Sequence, residues 1–287
     1  MRPIELGRMR IHKVHEMDSP VPLLSQLPGT TEADMRRLLE WYDQPDEVSA
    51  DPETSLMTFS VHSWVIELDG RTILIDTCCG NHKNRSLPEV SQLDTDYLGN
   101  LRRAGFAPED IDLVMCTHLH FDHVGWNTRL ENGKWVPTFA NATYLFGKRD
   151  YEYFKANPEG EELHHEAFLD SLAPVMEAGK AELVDEDHVA HREIHDGVWL
   201  EPAFGHSPGC CTINAEAGGP PASALIVQQP GEWPNAGSSQ TPSWISRWAT
   251  WSSSTSSALP ASITGAIESR NASWCSSSPS GLALKYS

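Results

Sequence analysis

Thr117-His118-Leu119-His120-Phe121-Asp122-His123-Val124-Gly125 packs three histidines and one aspartate into the six residues from His118 to His123. Imidazole nitrogen and carboxylate oxygen are the ligands that zinc and related divalent ions prefer. An isolated histidine is ordinarily a surface residue or a satisfied core residue, but four ligand-type side chains at this density are not explained that way. His118 and His120 stand two apart, so an extended chain points both to one side. Asp122 and His123 then turn away and can face a second ion. The apolar run Ile111 to Cys116 leads straight into the cluster. It reads as a buried strand, and the end of such a strand is where α/β sheets carry functional loops.

Outward from this segment, strand and helix patterns alternate. Ile4 to His15 reads as an opening strand. Thr31 to Tyr42 reads as a helix capped by Thr31, with Met35, Leu38, Leu39 and Tyr42 at helical spacing. Leu56 to Leu68 and Arg71 to Thr77 form a hairpin through the Asp69-Gly70 turn. Helices are predicted over Ser91 to Ala104, Lys148 to Ala156 and Leu163 to Ala178. Short strands are predicted at Thr143 to Phe146, Leu183-Val184, Val198 to Leu200 and Cys211 to Ala215. The alternation predicts a layered α/β domain.

The pattern His-x-His-x-Asp-His resembles the signature of the metallo-β-lactamase-fold hydrolases. Two other features stand in the order that family has. Ile73-Leu74-Ile75-Asp76-Thr77 resembles its strand ending in an aspartate, and Gly205-His206-Ser207-Pro208-Gly209 resembles the later loop that supplies a third histidine. The resemblance covers roughly residues 56–216. It implies an αβ/βα four-layer sandwich. It makes His118, His120 and His206 the first metal site, and Asp122 and His123 ligands of a second. Asp76 becomes a residue that orients the ligand loop from behind. The implied cofactor is zinc, with iron or manganese as alternatives, and the implied nucleophile is hydroxide on the metal, oriented by the catalytic Asp122. The implied substrate is a small ester, lactone or amide, since lactonases and related esterases share the full Asp-His ending. Thioester hydrolases and tRNA-processing nucleases share it too. The diiron flavoprotein branch would place an acidic residue where His120 stands.

The family expects two further ligands after the third histidine, an aspartate bridging both ions and a final histidine. This chain has no Asp and no His after His206. The first site therefore keeps the three histidines of a catalytic zinc site with one open position, while the second keeps only Asp122 and His123. The same region changes in composition. Residues 1–219 carry 18 Lys+Arg and 38 Asp+Glu, and residues 220–287 carry 3 Lys+Arg, 2 Glu and no Asp, with 18 serines and five of the ten tryptophans. The expected organisation is a hydrolase domain over 1–219, with the second half of the sandwich incomplete, and an aberrant Ser/Trp-rich tail over 220–287. Translation out of frame after about Gly219 and a divergent subdomain are both open readings of that tail. A catalytically impaired, metal-binding remnant is accordingly the alternative to an active enzyme.

The formal net charge of −19 should repel nucleic acid phosphates and anionic lipid, so the expected partner is a small-molecule substrate, with neither nucleic acid nor membrane. Met1 to Glu16 lacks the long apolar core of a signal peptide. The adjacent pairs Cys78-Cys79 and Cys210-Cys211 read as buried thiols in a reducing compartment, so the expected location is cytoplasmic. No Cys-x-x-Cys is present for a structural zinc domain. Among the remaining candidates, His164-His165 and the spaced His188, His191 and His195 read as solvated surface, and Cys116 as a core thiol. Trp126 and Asn127 are expected near the metals. Asn81 to Arg85 reads either as the border of a substrate cleft or as an ordinary loop.

Overall fold

In a computed structural model of the chain, residues 2–26, 29–39, 51–185, 192–195, 197–216 and 223–226 are described. The opening strand is two strands, β1 (Ile4–Leu6) and β2 (Met9–Pro22), folded on each other at Gly7-Arg8. A short helix α1 (Leu23–Gln26) follows. The next helix, α2 (Glu32–Leu39), is capped as predicted: Asp34 N donates to Thr31 Oγ1 at 3.2 Å and Thr31 N to Asp34 Oδ2 at 3.0 Å. Tyr42 lies outside the described residues.

β3 (Leu56–Leu68) and β4 (Arg71–Ile75) form the predicted Asp69-Gly70 hairpin. The helix expected over Ser91 to Ala104 is only α3 (Tyr97–Arg103). A 3-10 turn at Pro88–Val90 and a left-handed Gln92 (φ 53°) occupy the stretch before it. β5 (Leu113–Met115) leads into the one-turn helix α4 (Phe121–Val124). A hairpin not anticipated above, β6 (Thr128–Glu131) and β7 (Lys134–Pro137), turns at Asn132-Gly133. β8 (Thr143–Gly147) feeds α5 (Lys148–Lys155).

The helix expected over Leu163 to Ala178 is interrupted. α6 (Glu162–Ala167) and α7 (Ala173–Glu177) are separated by a π-helical turn over Phe168–Leu172. Pro174 explains the break: it has no N–H to give to the carbonyl of Asp170. That oxygen accepts from Lys83 Nζ (3.1 Å) and Thr128 Oγ1 (2.5 Å) instead. The remaining strands are β9 (Ala181–Val184), β10 (Arg192–His195), β11 (Val198–Pro202), β12 (Cys211–Glu216) and β13 (Ser223–Ile226).

The large sheet runs β1-β2-β3-β4-β5-β8-β9 and the smaller one β10-β11-β12-β13. β4, β5, β8 and β9 pair in parallel. Period-two alternation divides the core in two. Val65, Leu74, Val114, Tyr144 and Phe146 point to one face of the large sheet and meet Tyr97, Leu101, Tyr151, Phe154, Phe168 and Leu172 from the helices. Ile66, Ile73, Ile75, Met115 and Leu145 point to the other and meet Val198, Leu200, Ile213 and Ala215 of the smaller sheet. Helices, large sheet and small sheet thus stack as layers. β13 continues the small sheet past residue 219, with Ile226 opposite Ile213; the remainder of the 220–287 segment, like His188 and His191, lies outside the described residues. Among the described residues, no helix is long and apolar enough to cross a membrane.

Candidate metal centre

Three loops build the centre, two at the carboxyl ends of the parallel strands β4 and β5 and one from the smaller antiparallel sheet. The first follows β4. Asp76 and Cys78 both adopt positive φ (55° and 52°), which turns the buried Asp76 carboxylate back under the histidine loop. Asp76 Oδ1 accepts from Thr117 N (2.7 Å), and Asp76 Oδ2 accepts from Thr117 Oγ1 (2.9 Å) and faces His123 Nδ1 (2.8 Å). Backbone bonds from Thr77 N to the His123 carbonyl and from Gly125 N to the Cys78 carbonyl, both 2.7 Å, zip the two loops together. The approach demands glycine at 125, where a Cβ would stand 1.8 Å from the Cys79 carbonyl oxygen.

The second loop carries His118 and His120, and the third, between β11 and β12, carries His206. Each of these three residues offers a ligand atom within 4.8 Å of the others. Their rings meet edge to face, with centroids 4.6 to 4.7 Å apart. Burial, and then the neighbouring imidazoles, push the pKa of His118 well down; burial and His164 do the same for His120. Neutral imidazoles with free lone pairs are what a cation needs. For His118 the tautomer follows from its neighbours. Thr117 Oγ1 gives its proton to Asp76, so His118 Nδ1, 3.1 Å away, is the donor to that oxygen. His118 Nε2 is then the acceptor, and it is buried without a hydrogen-bond partner among the described residues. A buried lone pair without a donor carries a desolvation cost that a bound ion removes. The donor set therefore fits one divalent ion.

Asp122 and His123 sit beside this triad and pair with each other. His123 Nε2 is 3.3 Å from Asp122 Oδ2, and the His123 ring lies 3.9 Å from that of His118. Burial alone would lower the His123 pKa, but Asp122 and Asp76 on either side lift it to about 10. Burial likewise opposes charge on Asp122, and His123 overrides it and holds the carboxyl well below its usual range.

Three residues of the centre were not anticipated from sequence. His164 was expected at the surface; its ring instead stacks on His120 (3.9 Å between centroids, 19° between planes), and its Nδ1 accepts from Phe121 N at 3.3 Å. Its neighbour His165 turns the other way, with Nδ1 2.7 Å from the Phe154 carbonyl. Asp150, buried in the first turn of α5, accepts from Leu119 N, Ser207 Oγ and Gly209 N. Glu16, buried on β2, accepts from Cys79 N, Gly80 N, Thr95 Oγ1 and Trp126 Nε1; burial raises its pKa against the pull of those donors. None of the three lies near the motif in sequence, and only the tertiary packing reveals them.

The other candidates are placed as follows. Trp126 and Asn127 are buried behind the ligand loop, and Cys116 is a buried thiol. Lys83 and Arg85 turn inward onto Asp170, with Lys83 Nζ 3.4 Å from Oδ1 and Arg85 making paired bonds of 2.6 and 3.0 Å. Burial pushes the Lys83 ammonium down to about 7 against the pull of Asp170.

Residues 56–219 match the model of the metallo-beta-lactamase superfamily. The chain belongs to that superfamily. An N-acyl homoserine lactonase of Bacillus sp. is 27% identical over 180 residues, 58% of this chain and 62% of that protein. The N-acyl homoserine lactonase of Bacillus cereus is 27% identical over 168 residues, 54% of this chain and 58% of its own length. The chain thus spans about three fifths of the lengths of these relatives. Among solved structures, a probable metal-dependent hydrolase from Staphylococcus aureus superposes with a TM-score of 0.60 at 18% identity, over 77% of this chain and 73% of that one. AidC, described as a dizinc quorum-quenching lactonase in complex with a product, superposes with a TM-score of 0.59 at 19% identity, over 78% of this chain and 72% of its own. These two likenesses bear on the fold, which they match.

Proposed function

We propose that His118, His120 and His206 hold a single zinc ion and that the chain hydrolyses a small ester or lactone, with amides as a related class. The observation that carries this reading is the buried, unpartnered Nε2 of His118, set within 4.8 Å of ligand atoms on His120 and His206. An ion held there supplies Lewis acidity and acidifies a bound water. The protein's own residues do the rest. Asp122, kept ionised by His123, stands ready to orient the attacking water. Asp76 holds His123 by its Nδ1 proton, and His164 stacks on His120. The lactone preference rests on the lactonase relatives named above. The buried thiols of Cys78, Cys79, Cys116, Cys210 and Cys211 favour a reducing, cytoplasmic setting.

The donor set does not fit a second ion as well. No Asp or His follows His206, and Asp122 and His123 engage each other. That observation favours, as a second reading, an impaired remnant that binds metal and turns over little.

The test is hydrolysis of a lactone panel and an aryl ester by the zinc-loaded chain, with His118→Ala as control. Turnover that His118→Ala lowers by about 10² to 10³ supports the enzyme. Zinc binding with no turnover on any substrate supports the remnant.

A further inference from the structure

Among the described residues, Asp150 is the one carboxylate that hydrogen-bonds both histidine loops without belonging to either. It is fully buried. Its Oδ2 accepts from Leu119 N at 3.1 Å and from Ser207 Oγ at 2.8 Å, and its Oδ1 accepts from Gly209 N at 2.5 Å. Leu119 lies between His118 and His120, and Ser207 and Gly209 stand one and three residues after His206. All three donors are neutral; no lysine or arginine is among them. Burying a carboxylate against neutral donors carries a desolvation penalty that an apolar side chain of similar size would avoid. Stability alone therefore gives little reason for an acid at this point in the core. Geometry gives one: a rigid helix turn carries a single two-oxygen acceptor that pins two loops, distant in sequence, at a fixed separation.

We infer that Asp150 is the positioning residue that sets the spacing between the His118–His120 pair and His206. This rests on the reading of those three histidines as a metal site. Asp150 touches no ligand ring; it acts on the backbone at Leu119 and Gly209 and on the Ser207 hydroxyl. Outer contacts of this kind are commonly worth 10- to 100-fold in metal affinity.

Two variants separate positioning from mere packing. Asp150→Asn keeps the shape but must turn an amide N–H₂ toward one of the three donors. Ser207→Ala removes a single hydrogen bond and leaves Asp150 in place. Zinc dissociation constants are measured for the full-length chain by competition with a chromophoric chelator, and circular dichroism checks the fold of each metal-free variant. The expected result is folded Asp150→Asn with zinc affinity reduced by about 10- to 100-fold, and Ser207→Ala reduced in the same direction by a smaller factor. If both variants are folded and bind zinc as tightly as the wild type, Asp150 is a packing residue and the inference is overturned. Should Asp150→Asn fail to fold, Ser207→Ala decides alone by the same criterion. A wild-type chain that binds no zinc would instead sink the histidine-site reading and this inference with it, a result distinguishable from the first because it appears before any substitution is made.

Discussion

His123 Nδ1 lies 2.8 Å from Asp76 Oδ2, and both side chains are buried. The aspartate closing β4 thus holds the last histidine of the motif while its other contacts fix Thr117, the residue before the first. One side chain grips the ligand loop at both ends. Asp76→Ala strips the acceptor from Thr117 N, Thr117 Oγ1 and His123 at once. Stability should fall by about 3 kcal/mol, since each buried donor left unmet costs about 1 to 3 kcal/mol. Urea denaturation of the variant checks it, and a loss below about 1 kcal/mol would count against the grip.

His164→Ala removes the acceptor for Phe121 N and the ring stacked on His120. We expect kcat/KM on the best substrate of the panel to fall by about 10- to 100-fold, because small displacements of a catalytic loop carry that cost. His165→Ala, whose ring faces the Phe154 carbonyl and stacks on Phe168, should lose stability and keep turnover. Equal effects on turnover from the two substitutions would contradict the placement.

Asp170→Ala leaves Lys83 and Arg85 buried without their carboxylate. Lys83 can shed its proton, but the guanidinium of Arg85 cannot. Removing one partner of a buried ion pair costs about 3 to 5 kcal/mol, so the unfolding midpoint in urea should drop sharply, and Asp170→Asn should drop it less.

His62 is held neutral: burial, with Lys13 and His15 on the neighbouring strand, lowers its pKa from 6.5 to about 4. Between those values the unfolded chain binds a proton that the folded chain refuses, so stability falls as pH drops from 6.5 toward 4. Above that window His62 contributes no pH dependence. Denaturation midpoints across the window should slope less for His62→Asn than for the wild type, and parallel curves would refute the assignment.

The metal motif and the hairpin at Asp69-Gly70 were legible because each is a local pattern: ligand density in one, turn chemistry in the other. The alternation of strands and helices was legible for the same reason, whereas the division of the sheet into two faces, with Leu74 in one core and Ile75 in the other, emerges from the structure. Asn132-Gly133 carries an equally plain turn signal for the β6–β7 hairpin. Other features had no local trace. Helical spacing over Leu163 to Ala178 persists through the π turn, and only Pro174 hints at the break. His164 looks like any polar helix residue until α6 packs beside α4. Asp150 resembles an acid placed for the helix dipole, and its three donors come from loops 31 or more residues away.

The central claim is one metal ion on three histidines, and metal content tests it most directly. Elemental analysis of the full-length chain, dialysed after loading with zinc, should give close to one equivalent for the wild type and almost none for His118→Ala. Two tightly held equivalents, or zinc retained by His118→Ala, would contradict the account.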